Sequence, residues 1–204
     1  MIRLGTSRLL WSIPAAGVAF LFATPAQAHL NATGLGPVYD GLIHFLTSPE
    51  DLAAVLALAL LSGLRGADYG RRALFTVPAA WLLGGLLGLL ASSANGPAVL
   101  SAAWLLVLGG LVALDARLSL RVTTALAGLL GLYHGYFNGA GLGEFATAAV
   151  VLIGLVSAIF MLTAVSAACV VRLRAPWSRI AVRVVGSWIA ASGVLMLAWA
   201  LRSV

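Results

Sequence analysis

Two short polar segments of this chain combine histidine with carboxylate or amide side chains. The first contains His44, Glu50 and Asp51, and the second contains His134 and Asn138 at a spacing of four residues. Because positions i and i+4 share one face of a helix, His134 and Asn138 are expected to point in the same direction. Imidazole and carboxylate together suit Ni²⁺, Co²⁺, Zn²⁺ or Cu²⁺. These five residues are therefore candidate ligands of a divalent metal ion.

Both segments also allow a purely structural interpretation. Ser48 and Pro49 fit the N-cap and first position of a helix, and acidic residues in the first turn favour the positive end of that helix. Ser48 and Asp51 fit a capping box, and a histidine such as His134 can simply bond across a helix interface. The functional alternative is a short segment over 38–46, a kink at Ser48-Pro49, and His44 turning back towards Glu50 or Asp51 beside a polar cavity.

The composition indicates a membrane protein. Of the 204 residues, 62% are hydrophobic and 9% are charged, and the mean hydropathy is +1.06. Soluble domains carry about 25% charged residues, so this chain has too few charges to cover a surface that faces water. No lysine is present and the net charge is +6. The arginines fall in short breaks between apolar runs, which points to membrane orientation and not to nucleic acid.

The N-terminus is typical of a secretory signal peptide over residues 1–28. Arg3 and Arg8 precede an apolar run, and Ala26-Gln27-Ala28 is an A-x-A cleavage site. Cleavage would leave His29 as the first residue of the mature chain, where its α-amine and imidazole could both bind a metal ion. The remainder, 29–204, is predicted to be a single transmembrane domain in a bacterial inner membrane.

We predict an all-α fold, a polytopic bundle of six transmembrane helices after the signal peptide. A span needs about 20 apolar residues, and the candidates are about 42–64, 73–93, 98–114, 121–138, 145–171 and 180–201. The breaks between them carry charges or turn residues, as at 65–72, 115–121 and 172–183. Small residues at a spacing of four, Gly84 with Gly88 and Gly135 with Gly139, favour close helix packing.

The arginines predict the orientation. Nine of them lie in the first, third and fifth breaks, whereas only Arg202 falls on the other side. Basic residues concentrate on the cytoplasmic side, so both mature termini and all three histidines are expected at the periplasmic face. Asp68 and Asp115 lie among the arginines and are interpreted as their counter-ions. The tryptophans are expected in the interfacial belt or facing lipid, at positions 81, 104, 177, 188 and 199, and Cys169 is expected to be buried.

The chain resembles the HupE/UreJ family, the hydrogenase and urease accessory membrane proteins. Those proteins carry a G-x-x-H-P-x-x-G-x-D-H pattern in the first helix, which Gly41 and His44 match. A later H-G-x-A-H-G pattern is matched by His134-Gly135 and Gly139. Asp51 and Asn138 stand where the family has a second histidine in each pattern, Phe45, Ser48, Glu50 and Phe137 replace other pattern residues, and Glu144 aligns loosely with a family acid.

The resemblance implies a membrane protein that moves nickel or cobalt into the cell for metalloenzyme assembly. The implied metal site comprises His29, His44, Glu50, Asp51, His134 and Asn138, a set richer in oxygen than the family's own pattern. The alternative is a scaffold or assembly factor that binds a partner membrane protein or a second copy and transports nothing. An enzyme is not expected, because no hydrolase, P-loop or dinucleotide-binding motif is present.

Overall fold

The computed structural model describes residues 33–91, 96–142 and 145–202, and within them every regular element is a helix. The helices are α1 (Pro37–Thr47), α2 (Pro49–Arg65), α3 (Ala67–Gly88), α4 (Ala98–Ala113), α5 (Leu120–Ala140), α6 (Phe145–Val171) and α7 (Pro176–Arg202). The predicted all-α fold is confirmed. The predicted count of six changes to seven in the described ranges, because the first predicted helix is two helices. The predicted signal peptide lies outside the described residues.

The break between α1 and α2 lies at Ser48, and the two helices meet at an angle of 77°. Ser48 adopts an extended conformation, as expected for a residue that precedes proline. Its hydroxyl donates a hydrogen bond to the carbonyl oxygen of His44 at 2.7 Å. The predicted kink at Ser48-Pro49 is thus confirmed, but the predicted capping box is wrong: the Ser48 side chain bonds backwards into α1 and makes no cap bond to α2.

Helix α2 lies at the centre of the bundle. It packs against α3, α4 and α6, with smaller contacts to α1, α5 and α7, and Leu58 and Leu61 are completely buried. Eleven of its seventeen residues are buried. A helix that is apolar on every side has to be surrounded by protein or lipid, and α2 is surrounded mainly by the other helices.

Glycines let the remaining helices cross at backbone contact. A Cβ atom built on Gly135 would lie 2.2 Å from the carbonyl oxygen of Trp81, and one built on Gly88 would lie 2.0 Å from that of Tyr136. Helices α3 and α5 therefore interlock through small residues, as the Gly84/Gly88 and Gly135/Gly139 spacings predict. Gly41 has a similar role on α1, where a Cβ atom would lie 1.9 Å from the carbonyl oxygen of Val151 in α6.

The predicted break at 65–72 is mostly helical. Gly66, with φ of 118°, makes the turn alone, and α3 begins at Ala67. Asp68 lies in its first turn and pairs with Arg71 three residues later. The sequence prediction failed here because a cluster of charges in the first turns of a helix looks like a polar loop.

We call one end of the bundle the arginine-rich end; it carries Arg65, Arg71, Arg72, Arg117, Arg121, Arg172, Arg174, Arg179 and Arg183. It contains a second ionic contact that joins three parts of the chain. Asp115, just after α4, pairs with Arg65 at the end of α2 and with Arg179 in α7. Asp68 and Asp115 are thus counter-ions of arginines, as predicted.

The length and hydropathy of several helices are those of membrane spans. By length and hydropathy, α6 and α7 can each cross a membrane, and the bent pair α1–α2 counts as a third span. Helix α4 is apolar but shorter, so six spans stay a prediction. Trp177, Trp188 and Trp199 are exposed on α7 as expected. Two expectations are wrong: Trp81 is buried, and Cys169 is exposed.

Candidate functional site

The bend at Ser48 brings the end of α1 and the start of α2 against the last turns of α5. His44 lies on α1, Asp51 lies in the first turn of α2, and His134 and Asn138 lie one turn apart on α5. We call these four residues the polar cluster. The sequence predicted each of them as a candidate ligand, and the structure brings the four together.

Asp51 is the centre of the polar cluster. One of its carboxylate oxygens lies 2.6 Å from Nδ1 of His134, and the other accepts a hydrogen bond from the Asn138 amide at 2.9 Å. Asp51 and His134 are 4% and 3% exposed. A buried carboxylate is costly unless it is paired and hydrogen-bonded, and here both of its oxygens have donors.

Asn138 connects Asp51 to His44. Its amide nitrogen donates to Asp51 and to the carbonyl oxygen of His134, and its amide oxygen lies 3.1 Å from Nε2 of His44. His44 therefore contacts Asp51 only through Asn138. The predicted turn of His44 towards a carboxylate is in this sense indirect.

The network assigns the protons of both imidazoles. Because both partners of the Asn138 amide nitrogen are oxygen acceptors, its carbonyl oxygen must face His44, and Nε2 of His44 must be the donor. Similarly, Nδ1 of His134 donates to the Asp51 carboxylate. A neutral His134 then carries its lone pair on Nε2, which is buried and has no hydrogen-bond partner among the described residues.

Aromatic rings hold His134 in place. The Trp81 ring stacks on its imidazole with centroids 5.4 Å apart, and Tyr133 meets it edge-on at 5.0 Å. Phe45 in turn packs edge-on against Trp81, with ring centroids 6.2 Å apart. Trp81 is not among the site residues predicted from the sequence, where its one signal is its position on the Gly84/Gly88 helix.

The remaining predicted ligands lie outside the polar cluster. Glu50 is adjacent to Asp51 and half-buried, and it makes no hydrogen bond to any described residue. His29 and Glu144 fall outside the described residues. Within the described ranges, no three His, Cys, Asp or Glu side chains are arranged to hold a metal ion. Asn138 lies between His44 and Asp51.

The polar cluster and the arginine-rich end lie at opposite ends of the bundle. Asp51 and Arg65 are fourteen residues apart on α2, which is about 21 Å along a helix. On α5 the order is reversed, with Arg121 in the first turn and His134 near the other end. This arrangement agrees with the antiparallel helices expected from the arginine distribution.

A scan against protein-family models matches residues 17–196 to the HupE / UreJ protein family. The match covers most of the chain. The chain belongs to the HupE/UreJ family. Searches of curated proteins and of solved structures return no match. The resemblance inferred from the two histidine motifs is thereby confirmed.

The structure adds a detail to this HupE/UreJ assignment. Asp51 and Asn138, which the sequence resemblance aligns with the second histidine of each family pattern, are hydrogen-bonded to each other. These two replaced positions therefore lie at one place in the fold.

Proposed function

We propose that this HupE/UreJ protein takes up a divalent metal ion of the nickel or cobalt type, or delivers it to metalloenzyme assembly, and that the polar cluster captures the ion. The observation that supports this proposal best is His134, whose Nε2 is buried with no hydrogen-bond partner in the described part of the chain while Nδ1 is held by Asp51. Leaving a buried polar atom unpaired costs about 1–3 kcal/mol. A bound cation would remove that cost.

The hydrogen bond from His134 to Asp51 is of the kind that metal-binding histidines make. Such histidines almost always donate their other ring N–H to a carboxylate or carbonyl, which fixes the tautomer and makes the free nitrogen more basic. His134 meets this requirement, and the Trp81 ring restricts its rotation. His134 Nε2 is thus the ligand atom that we place first.

Further ligands have to come from groups that now bond to one another or lie nearby. Release of the Asn138 amide would free one oxygen of Asp51 and the imidazole of His44. Glu50, which has no hydrogen bond among the described residues, and the amine and imidazole of His29 are the other candidates. Carboxylate and amide oxygens make this set less selective for nickel than histidines alone, so cobalt and zinc are expected to compete.

The charges favour one orientation in the membrane, and uptake then runs from the periplasmic face inwards. Nine arginines lie at the end opposite to the polar cluster, and basic residues favour the cytoplasm. We therefore place the cluster and both mature termini at the periplasmic face of a multi-pass protein in the inner membrane, with 1–28 removed as a signal peptide. Metal would enter at the cluster and leave towards the arginines.

Metal accumulation in cells that express the full chain tests this function. Cellular nickel and cobalt, measured by ICP mass spectrometry, are expected to rise with the wild-type chain and to stay at background with the double variant His44→Ala and His134→Ala. Thr47→Ala, an exposed residue at the same end, is the matched control and should accumulate metal like wild type. Equal accumulation in the double variant, at equal amounts of protein in the membrane, would contradict transport through this site.

One observation favours the scaffold alternative. Trp177, Trp188 and Trp199 follow one another at intervals of eleven residues on α7, which places them on one face of the helix, and each is more than 70% exposed. Such a row suits a contact with a partner membrane protein or a second copy. If Trp188→Leu abolishes co-purification of a stoichiometric partner while the metal-site double variant changes neither partner nor metal, the scaffold function replaces transport.

A further inference from the structure

Two open clefts lie on either side of the first turns of α3 and share Arg71. The larger has a volume of about 470 Å³ and is lined by Asp68, Arg71 and Arg72 together with Phe75 and Leu120. The smaller, of about 240 Å³, lies between α3 and α6. Both clefts lie at the arginine-rich end of the bundle, far from the polar cluster.

The charges around these clefts favour an anion. The arginine-rich end carries nine arginines and two aspartates, a net charge of +7. Asp115 is engaged by Arg65 and Arg179, and Asp68 by Arg71. Arg72 and Arg172 pair with no acidic residue in the described part of the chain, although each lines one of the clefts.

Next to the arginines, both clefts are apolar. In the larger cleft the Phe75 ring is 64% exposed and packs against Phe160 of α6 at 6.2 Å. In the smaller one, Leu74, Ala164 and Ala167 form the walls between Arg71 and Arg172. A ligand that fits has a negative head group and a hydrocarbon part, because an inorganic anion would leave these apolar surfaces uncovered.

We propose that the first turns of α3 bind an anionic phospholipid, with its phosphate on Arg71 and Arg72 and its acyl chains against Phe75 and in the groove between α3 and α6. Basic pockets between transmembrane helices on the cytoplasmic side are suited to such head groups. Arginine recognises phosphate through paired N–H donors. The site requires only that the chain lies in a bilayer, so it stands apart from the metal function.

Native mass spectrometry of the full chain in detergent tests the proposal, with phosphatidylglycerol and phosphatidylcholine of equal acyl chains as probes. Phosphatidylglycerol should bind more tightly, and Arg71→Gln with Arg72→Gln should weaken it by about fivefold for each arginine. Asp68→Asn, which releases Arg71, should strengthen binding. Opposite changes in the two variants would show that the local charge of the cleft determines the affinity for the lipid.

Arg117→Gln is the matched control, because Arg117 is an exposed arginine of the same end that lines neither cleft. It should bind phosphatidylglycerol like wild type. Equal binding of the two lipids, or an equal loss with Arg117→Gln, would show a diffuse charge effect and overturn the site. Displacement of phosphatidylglycerol by inorganic phosphate would also overturn it, since the ligand would then be a soluble anion.

Discussion

His134 is the residue on which the account of the polar cluster rests. Asp51 holds one ring nitrogen, the Trp81 ring covers one face, and Tyr133 meets the imidazole edge-on. An imidazole held in this way has one orientation and one tautomer. In the proposed function, its Nε2 is already oriented for a cation, which lowers the cost of ordering on binding.

At the same scale, Asp51→Asn is expected to lower the free energy of unfolding by about 1.5–3 kcal/mol, since a hydrogen bond to a charged group is lost in a buried place. The new amide can accept from only one of its two present donors, and its own NH₂ group would face the other. Unfolding in mixed detergent micelles measures the change.

Glu50→Gln is the control for this substitution. It removes the neighbouring negative charge, but Glu50 has no hydrogen bond among the described residues, so the change should stay within about 0.5 kcal/mol. Equal losses in the two variants would mean that general charge at the start of α2, and not the Asp51 hydrogen bonds, stabilises the fold.

Among the helices, glycines determine how closely α5, which carries His134 and Asn138, approaches α3. The carbonyl oxygen of Trp81 lies where a side chain on Gly135 would begin, so the same contact that locks the helices sets the Trp81 ring on His134. Gly41 likewise allows close backbone contact between α1 and α6. The glycines of the histidine motifs thus have a packing role beside the ligands.

Gly135→Ala is therefore expected to destabilise the protein by about 1–3 kcal/mol, because overpacking forces two backbones apart. Gly128→Ala, on the same helix, is the control. Its added Cβ would meet only a Thr76 methyl group at 3.9 Å, and alanine has the higher helix propensity, so stability should stay equal or rise. Thermal unfolding in detergent compares the two. Equal melting temperatures of the two variants would contradict the close contact between α3 and α5.

The boundaries of most helices could be predicted from the sequence, because apolar runs and turn residues define them. The prediction of 121–138 corresponds to Leu120–Ala140, and 98–114 corresponds to Ala98–Ala113. The kink at Ser48-Pro49 was also predictable, since proline restricts the residue before it. The early start of α3 was not, because the conformation of Gly66 alone decides where the turn ends.

The site could be predicted only in part. The i, i+4 spacing placed Asn138 beside His134, and charge counting placed His44 and Asp51 at the same end. No local pattern could show that Asn138 lies between His44 and Asp51, or that Trp81 stacks on His134. These contacts join residues 53 to 94 positions apart and depend on how the helices pack.

In the whole molecule, the two ends of the bundle differ in charge. One end carries the polar cluster, the other carries nine arginines with Asp68 and Asp115, and the middle is filled by α2. This division agrees with the proposed function, in which a metal ion enters at the face that carries the polar cluster. At the other face, Arg71 and Arg72 form the proposed site for an anionic lipid.

Metal binding by the purified full chain shows directly whether His134 Nε2 is a ligand. Equilibrium dialysis against nickel or cobalt, followed by ICP mass spectrometry, should give about one ion per wild-type chain, with an affinity that falls at least tenfold in His134→Gln. Thr47→Ala should bind like wild type. Unchanged metal affinity in a folded His134→Gln protein, or a wild-type chain that binds no ion, would contradict the assignment of His134 Nε2 as the ligand.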